Sequence, residues 1–227
     1  MAITDWHEWH REYDNPQSEL AARMRTVQRH VAEVVAQCAP GPVTVVSICG
    51  GEGRELIGAL QNHPRRLDVR GRLVELDADN AAVARRRAQE AQLDRFEVVT
   101  GDAGVTDSYD GVGPADVVVV SGVFGQLDDD DQMRTIEFLR AICKQDAYLV
   151  WTSYRRDEER LEKLRRFLDD RGFEEVEFEC LDGDTYRFTV AVSRHTGSLQ
   201  PFVKHQKIFT YGSSQRRHRD QDTSSMP

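Results

Sequence analysis

The chain has 227 residues, 39% hydrophobic and 30% charged, enough to bury one sizeable core. Its formal net charge of -9 opposes a nucleic-acid partner, because binding a phosphate backbone needs a basic footprint, and so favours a small-molecule substrate. No apolar run is long enough to span a bilayer, the N-terminus lacks a signal-peptide layout, and Cys38, Cys49, Cys143 and Cys180 form no C-x-x-C pair, so a cytoplasmic protein with reduced thiols, no metal site and no membrane partner is expected.

The chain opens on an aromatic and acidic stretch containing Trp6, His7, Trp9, His10 and Tyr13. If helical, it places His7 and His10 on one face and Trp6, Trp9 and Tyr13 on a neighbouring stripe. Such a segment can lie over a site as a lid that supplies an aromatic wall and a base; alternatively the tryptophans only pack and the histidines are solvated. A helix follows from about Ser18 to Gln37, with Leu20, Met24, Val27, Val31, Val34 and Val35 on one stripe. Ala39-Pro40-Gly41-Pro42 stops it.

From Val43 the β-branched run Val43-Thr44-Val45-Val46-Ser47-Ile48 predicts a strand, and Cys49-Gly50-Gly51-Glu52-Gly53 a bare-backbone turn. Helix-compatible sequence then runs from Glu52 to Leu60. A strand, a glycine turn and a helix N-terminus can cradle a nucleotide, though the turn alone is a weak signal. Strands are next expected at Gly71–Asp77, Phe96–Thr100, Asp116–Ser121 and Ala147–Thr152. Helices are expected between them at about Asp79–Gln92 and Asp130–Cys143, and after the last at Asp157–Arg171. This alternation predicts an open α/β sheet with right-handed crossovers. Glu174–Cys180 and Thr185–Arg194 alternate apolar with polar residues and predict a closing antiparallel hairpin. Residues 196–211 read as irregular, with a short strand at Lys207–Tyr211, and 212–227 as a disordered tail.

The glycine turn after the first strand, an acid after the second, Gly101-Asp102 after the third, an acidic start to the fourth and the hairpin after Gly172-Phe173 together resemble a class I S-adenosylmethionine-dependent methyltransferase. The resemblance covers roughly residues 40–195. It implies a Rossmann-like sheet, mostly parallel with an antiparallel C-terminal hairpin and helices on both faces. It also implies S-adenosyl-L-methionine as cofactor. The family's first motif runs acid, any, Gly, any, Gly, any, Gly, and here Ser47, Cys49, Gly51 and Gly53 hold those places. Ser47 supplies no carboxylate, and Cys49 is small enough for the turn.

One carboxylate can accept both ribose hydroxyls, and Glu75 and Asp77 both qualify. The interval from Glu75 to Ala84 resembles the family's, which favours Glu75, while Asp77 can instead cap the next helix. Asp102 resembles the adenine-binding acid, with Ala103 offering a backbone N–H. The implied cofactor-binding set is Ser47, Cys49, Gly50, Gly51, Gly53, Glu75, Leu76, Asp102, Ala103, Ser121 and Gly122. Phe124 is either a site wall or core, and the acids Asp128–Asp131 read as a helix cap rather than a metal site.

The sulfonium already activates the methyl group, so catalysis needs alignment, dryness and, for a protonated acceptor, a general base. His7, His10 and Tyr13 are the candidates for that base. The domain expectation is a helical lid segment at 1–39, the cofactor domain at 40–195, an extension at 196–211 and the tail. Two other activities compete with transfer to a small molecule. A nicotinamide oxidoreductase would need a third glycine where Leu56 stands. A cofactor-binding regulator or scaffold without transfer fits the altered Ser47 and Cys49. The acceptor and the oligomeric state are not legible.

Overall fold

The computed structural model describes residues 12–154 and 157–212. Its strands are β1 (Val43–Ile48), β2 (Val69–Glu75), β3 (Arg95–Thr100), β4 (Ala115–Val120), β5 (Cys143–Tyr154), β6 (Phe173–Asp182) and β7 (Arg187–His195). The α-helices are α1 (Glu19–Gln37), α2 (Leu56–Leu60), α3 (Ala78–Glu90), α4 (Asp129–Ile142) and α5 (Glu158–Asp169). The strands form one sheet in the order β3-β2-β1-β4-β5-β7-β6. Strands β1 to β5 pair in parallel, and β7 runs antiparallel between β5 and β6. This is the Rossmann-like sheet with its closing hairpin.

The β-branched runs sit where both faces are covered. Every residue of β1 is buried, as a central parallel strand must be when helices cover both sides. On one face Val27 and Val31 of α1, Leu56 and Ile57 of α2 and Ala84 of α3 pack on Val45, Leu73 and Val119. On the other, Ile136 and Leu139 of α4 and Leu161 and Leu164 of α5 pack on Val46, Val118 and Trp151. Side chains close the helix starts: the Ser18 hydroxyl accepts from Ala21 N at 3.0 Å, and Asp128 from Asp131 N at 2.9 Å. Phe124 is fully buried, edge-on to Trp151, and belongs to the core.

Three boundaries depart from expectation. The helix expected from Glu52 begins only at Leu56, because residues 51–55 are spent in the glycine turn. The fifth strand is longer, spanning Cys143–Tyr154. The strand expected at Lys207–Tyr211 is a single bridge from Lys207 to Val105. The segment instead straps onto the domain, with Ile208 N donating to Gly104 O at 2.7 Å and Thr210 N to Asp131 Oδ2 at 3.1 Å. Ile208 and Phe209 of this strap are buried against the domain. Trp6, His7, Trp9, His10 and the tail from 213 onward lie outside the described residues. Among the described residues, no helix is long and apolar enough to cross a membrane.

Candidate active site

Sheet topology places the site. Strands β1 and β4 are neighbours whose chains leave toward opposite edges, so the loops at their C-terminal ends diverge and leave a crevice. A cavity of about 550 Å³ opens there. Its wall takes Cys49, Gly50 and Gly51 after β1, Glu75, Leu76 and Asp77 after β2, Asp102 and Ala103 after β3, and Ser121 and Gly122 after β4. Nine of the eleven residues expected at the cofactor are in this wall, Ser47 and Gly53 being the exceptions.

The glycine turn is held by its neighbours. Cys49 and Gly51 both take left-handed backbone, with φ of 52° and 55°. A Cβ on Gly50 would collide with Leu73 and come within 2.8 Å of Ser47 Oγ. Ser47 is therefore tucked behind the turn, buried and away from the cavity. Gly53 lies past the wall and closes the turn, its N–H donating to Gly50 O at 2.9 Å. Burial pushes the Cys49 thiol up, with the nearby Glu75 and Asp102 adding to the effect, so the sulfur stays un-ionised.

The two candidate acids after β2 part company. Glu75 faces the cavity and ties two turns together: Oε2 accepts from Gly51 N and Oε1 from Asp77 N, each at 2.9 Å. Asp77 caps α3, its Oδ1 accepting from Asp79 N and Asn80 N at 2.9 Å. Asp102 accepts from Gly104 N at 2.7 Å and pairs with Lys207 of the strap at 2.8 Å. Burial alone would raise its carboxyl, but Lys207 and the Gly104 amide outweigh that and hold it below the ordinary range.

The β4 end of the cavity is built from residues that sequence reasoning passed over. Arg23 of α1 donates through Nη2 to Glu55 Oε1 at 3.0 Å and also to the Tyr13 hydroxyl. Ser121 Oγ donates to the same Glu55 oxygen at 2.9 Å. Gly122 is held from both sides, its N–H on Thr152 Oγ1 at 2.8 Å and its carbonyl accepting from the Tyr211 hydroxyl at 3.1 Å. Arg23 stays charged because Tyr13 and Glu55 outweigh the desolvation that opposes its charge. Burial raises the Tyr13 and Tyr211 phenols, so at neutral pH both are hydrogen-bond donors and neither is an ionised base. Tyr13 thus reaches the cavity, as expected of a catalytic candidate, but in its protonated form. The available signal for Arg23 was a charge on the apolar stripe between Leu20 and Val27, all three being buried. Phe209 and Tyr211, also in the wall, are the last aromatic residues before the polar tail.

A family model described as "Putative methyltransferase" matches residues 19–171. A search of curated proteins finds no match. Among solved structures, the magnesium protoporphyrin IX methyltransferase of Synechocystis PCC 6803 with bound SAM is similar, with a TM-score of 0.64 at 19% identity over 85% of this chain and 91% of that one. An O-methyltransferase family protein from Burkholderia thailandensis has a TM-score of 0.57 at 17% identity, over 86% of this chain and 70% of its own. The precorrin-6y C5,15-methyltransferase of Geobacter metallireducens has a TM-score of 0.54 at 15% identity, over 73% and 86%. At these identities the likeness is one of fold.

Proposed function

The chain belongs to the class I S-adenosylmethionine-dependent methyltransferases, and from that premise we propose that it methylates a small-molecule acceptor by in-line displacement. When bound, S-adenosylmethionine supplies a methyl group made electrophilic by its sulfonium. The wall suits that molecule, because it offers acceptors where the nucleoside has donors. Glu75 takes the two ribose hydroxyls, Asp102 the exocyclic amine, and Ala103 offers its N–H to the ring. The Gly51 backbone, bare and left-handed in the wall, lets the ligand lie close to the main chain. Residues 40–195 make the cofactor domain in this proposal, residues 1–39 close the acceptor side, and 196–211 extend the wall. The protein works in the cytoplasm.

What best supports a small acceptor is the enclosure of the β4 end: Tyr13, ahead of α1, and Tyr211 of the strap, bonded to Gly122, stand in one cavity wall. Such a recess excludes water and aligns a compact nucleophile with the methyl carbon. An acceptor that arrives protonated needs a base, and His7 or His10 is proposed to provide it. Tyr13 then orients the acceptor by donating a hydrogen bond.

Calorimetry on the full chain with S-adenosylmethionine, S-adenosylhomocysteine and NAD tests the cofactor. Release of S-adenosylhomocysteine in the presence of small phenols, amines and carboxylic acids, with a tRNA pool alongside, tests the acceptor. Binding of both sulfur nucleosides, no NAD binding, and turnover with a small molecule are expected. Turnover with tRNA alone would refute the small-molecule proposal.

A further inference from the structure

We propose that Glu55 receives the ammonium of the cofactor's amino-acid end, and that Arg23 and Ser121 hold its carboxylate in place for that contact. The inference rests on the cofactor placement above. With the adenine at Asp102 after β3 and the ribose at Glu75 after β2, an extended ligand points its remaining end toward β1 and β4. Strands β3 and β4 stand three inter-strand spacings apart, about 14 Å, so that end arrives beside Ser121 and Gly122. It carries an ammonium, and an ammonium entering a half-dry cavity needs an anion or several acceptors.

The carboxylates of the wall differ in what already holds them. Glu52 Oε2 is taken by Arg54 at 2.7 Å and by Arg87 at 3.4 Å. Asp77 is a helix cap, and Asp102 and Glu75 belong to the nucleoside. Glu55 stands at the β4 end, and Arg23 and Ser121 both donate to its Oε1, so neither of these contacts uses Oε2. Its side chain keeps 18% exposure while that of Arg23 keeps 3%. The pair is therefore sealed on the arginine side and open on the glutamate side. Ser47, whose place in the motif would hold the family's acid, is shut behind Gly50. The carboxylate that Ser47 of β1 does not provide is thus supplied eight residues later, at the entrance to α2.

Binding to the full-length protein tests this with two ligands that share the nucleoside. S-adenosylhomocysteine carries the amino-acid end, and 5′-methylthioadenosine lacks it. Glu55→Gln should weaken S-adenosylhomocysteine about tenfold or more while leaving methylthioadenosine within about twofold. Ser121→Ala should weaken S-adenosylhomocysteine severalfold and spare methylthioadenosine in the same way. Equal losses for both ligands would mean that Glu55 acts through the fold, and no loss for either would place the ammonium elsewhere; each overturns the proposal. Should Glu55→Gln fail to fold because it removes a buried ion-pair partner of Arg23, Glu55→Asp keeps the charge and retracts it by one methylene, with the same selective loss expected. If the wild type binds neither ligand, the cofactor placement itself fails.

Discussion

Replacing Glu75 by alanine should separate the roles of ligand anchor and loop tether in one experiment. Its carboxylate accepts two backbone N–H bonds at 2.9 Å, joining the turn after β1 to the turn after β2, and it faces the cavity. A hydrogen bond to a charged group contributes about 1.5–3 kcal/mol, and each 1.4 kcal/mol is about tenfold in affinity. Loss of the ribose contact alone therefore predicts S-adenosylhomocysteine binding weakened about tenfold to a hundredfold. The tether costs less, about 1 kcal/mol, because Gly51 is half-buried and Asp77 exposed, and water replaces the lost acceptor. Titration calorimetry and thermal unfolding on the same protein measure the two effects. Glu75→Gln keeps a carbonyl acceptor for one turn and should recover most of the stability but little of the affinity. If Glu75→Ala stays folded and binds S-adenosylhomocysteine as tightly as wild type, Glu75 does not touch the ribose.

Asp102→Ala should also weaken S-adenosylhomocysteine at least about tenfold, whereas Lys207→Ala, which removes a half-exposed partner of Asp102, should change it only a few fold; calorimetry on both variants checks the difference. Gly51→Val puts a β-branched residue at a φ of 55°, so cofactor affinity should be lost before the fold is, and a variant that unfolds with no separable loss of binding would make the turn purely structural. His195 is buried against Phe173, and its burial lowers its proton affinity despite a bond to the Lys144 carbonyl at 3.1 Å. Since its folded pKa lies below the unfolded value of about 6.5, the stability it contributes is present above that pH and lost as pH falls through it. The unfolding midpoint should drop as pH falls below about 6.5 in wild type, and less in His195→Gln.

The two ends of the cavity were not equally legible in the sequence. The end under the loops after β1, β2 and β3 is written locally: in a parallel sheet every strand delivers the residues at its C-terminal tip to the same side, so Cys49, Glu75 and Asp102 need only the strands to be recognised. Strand β4 announces itself by the run Val117–Val120, and β1 by Val43, Val45, Val46 and Ile48 with only Thr44 and Ser47 between them. The strand expected at Gly71–Asp77 contained both Glu75 and Asp77, and only the fold separates them, ending β2 at Glu75 and making Asp77 the cap of α3. The other end is assembled from Tyr13, Arg23, Glu55 and Tyr211, whose meeting depends on how α1 crosses the sheet and where the strap returns. Periodicity reads the apolar stripe of α1 and discards Arg23 as an exception, although a charge buried in such a stripe requires a partner. The partner, Glu55, hid in a stretch that reads as helix because its propensities permit one, while the glycine turn delays the helix to Leu56. The same reasoning accounts for the wall beside Gly122. An aromatic N-terminus suggested a lid by composition, yet among the described residues Tyr211 of the strap joins Tyr13 in the wall there, because Ile208 and Phe209 are apolar enough to anchor a segment that alternation alone leaves irregular. Acceptor choice should accordingly vary with the two chain ends while the nucleoside contacts stay with the strands.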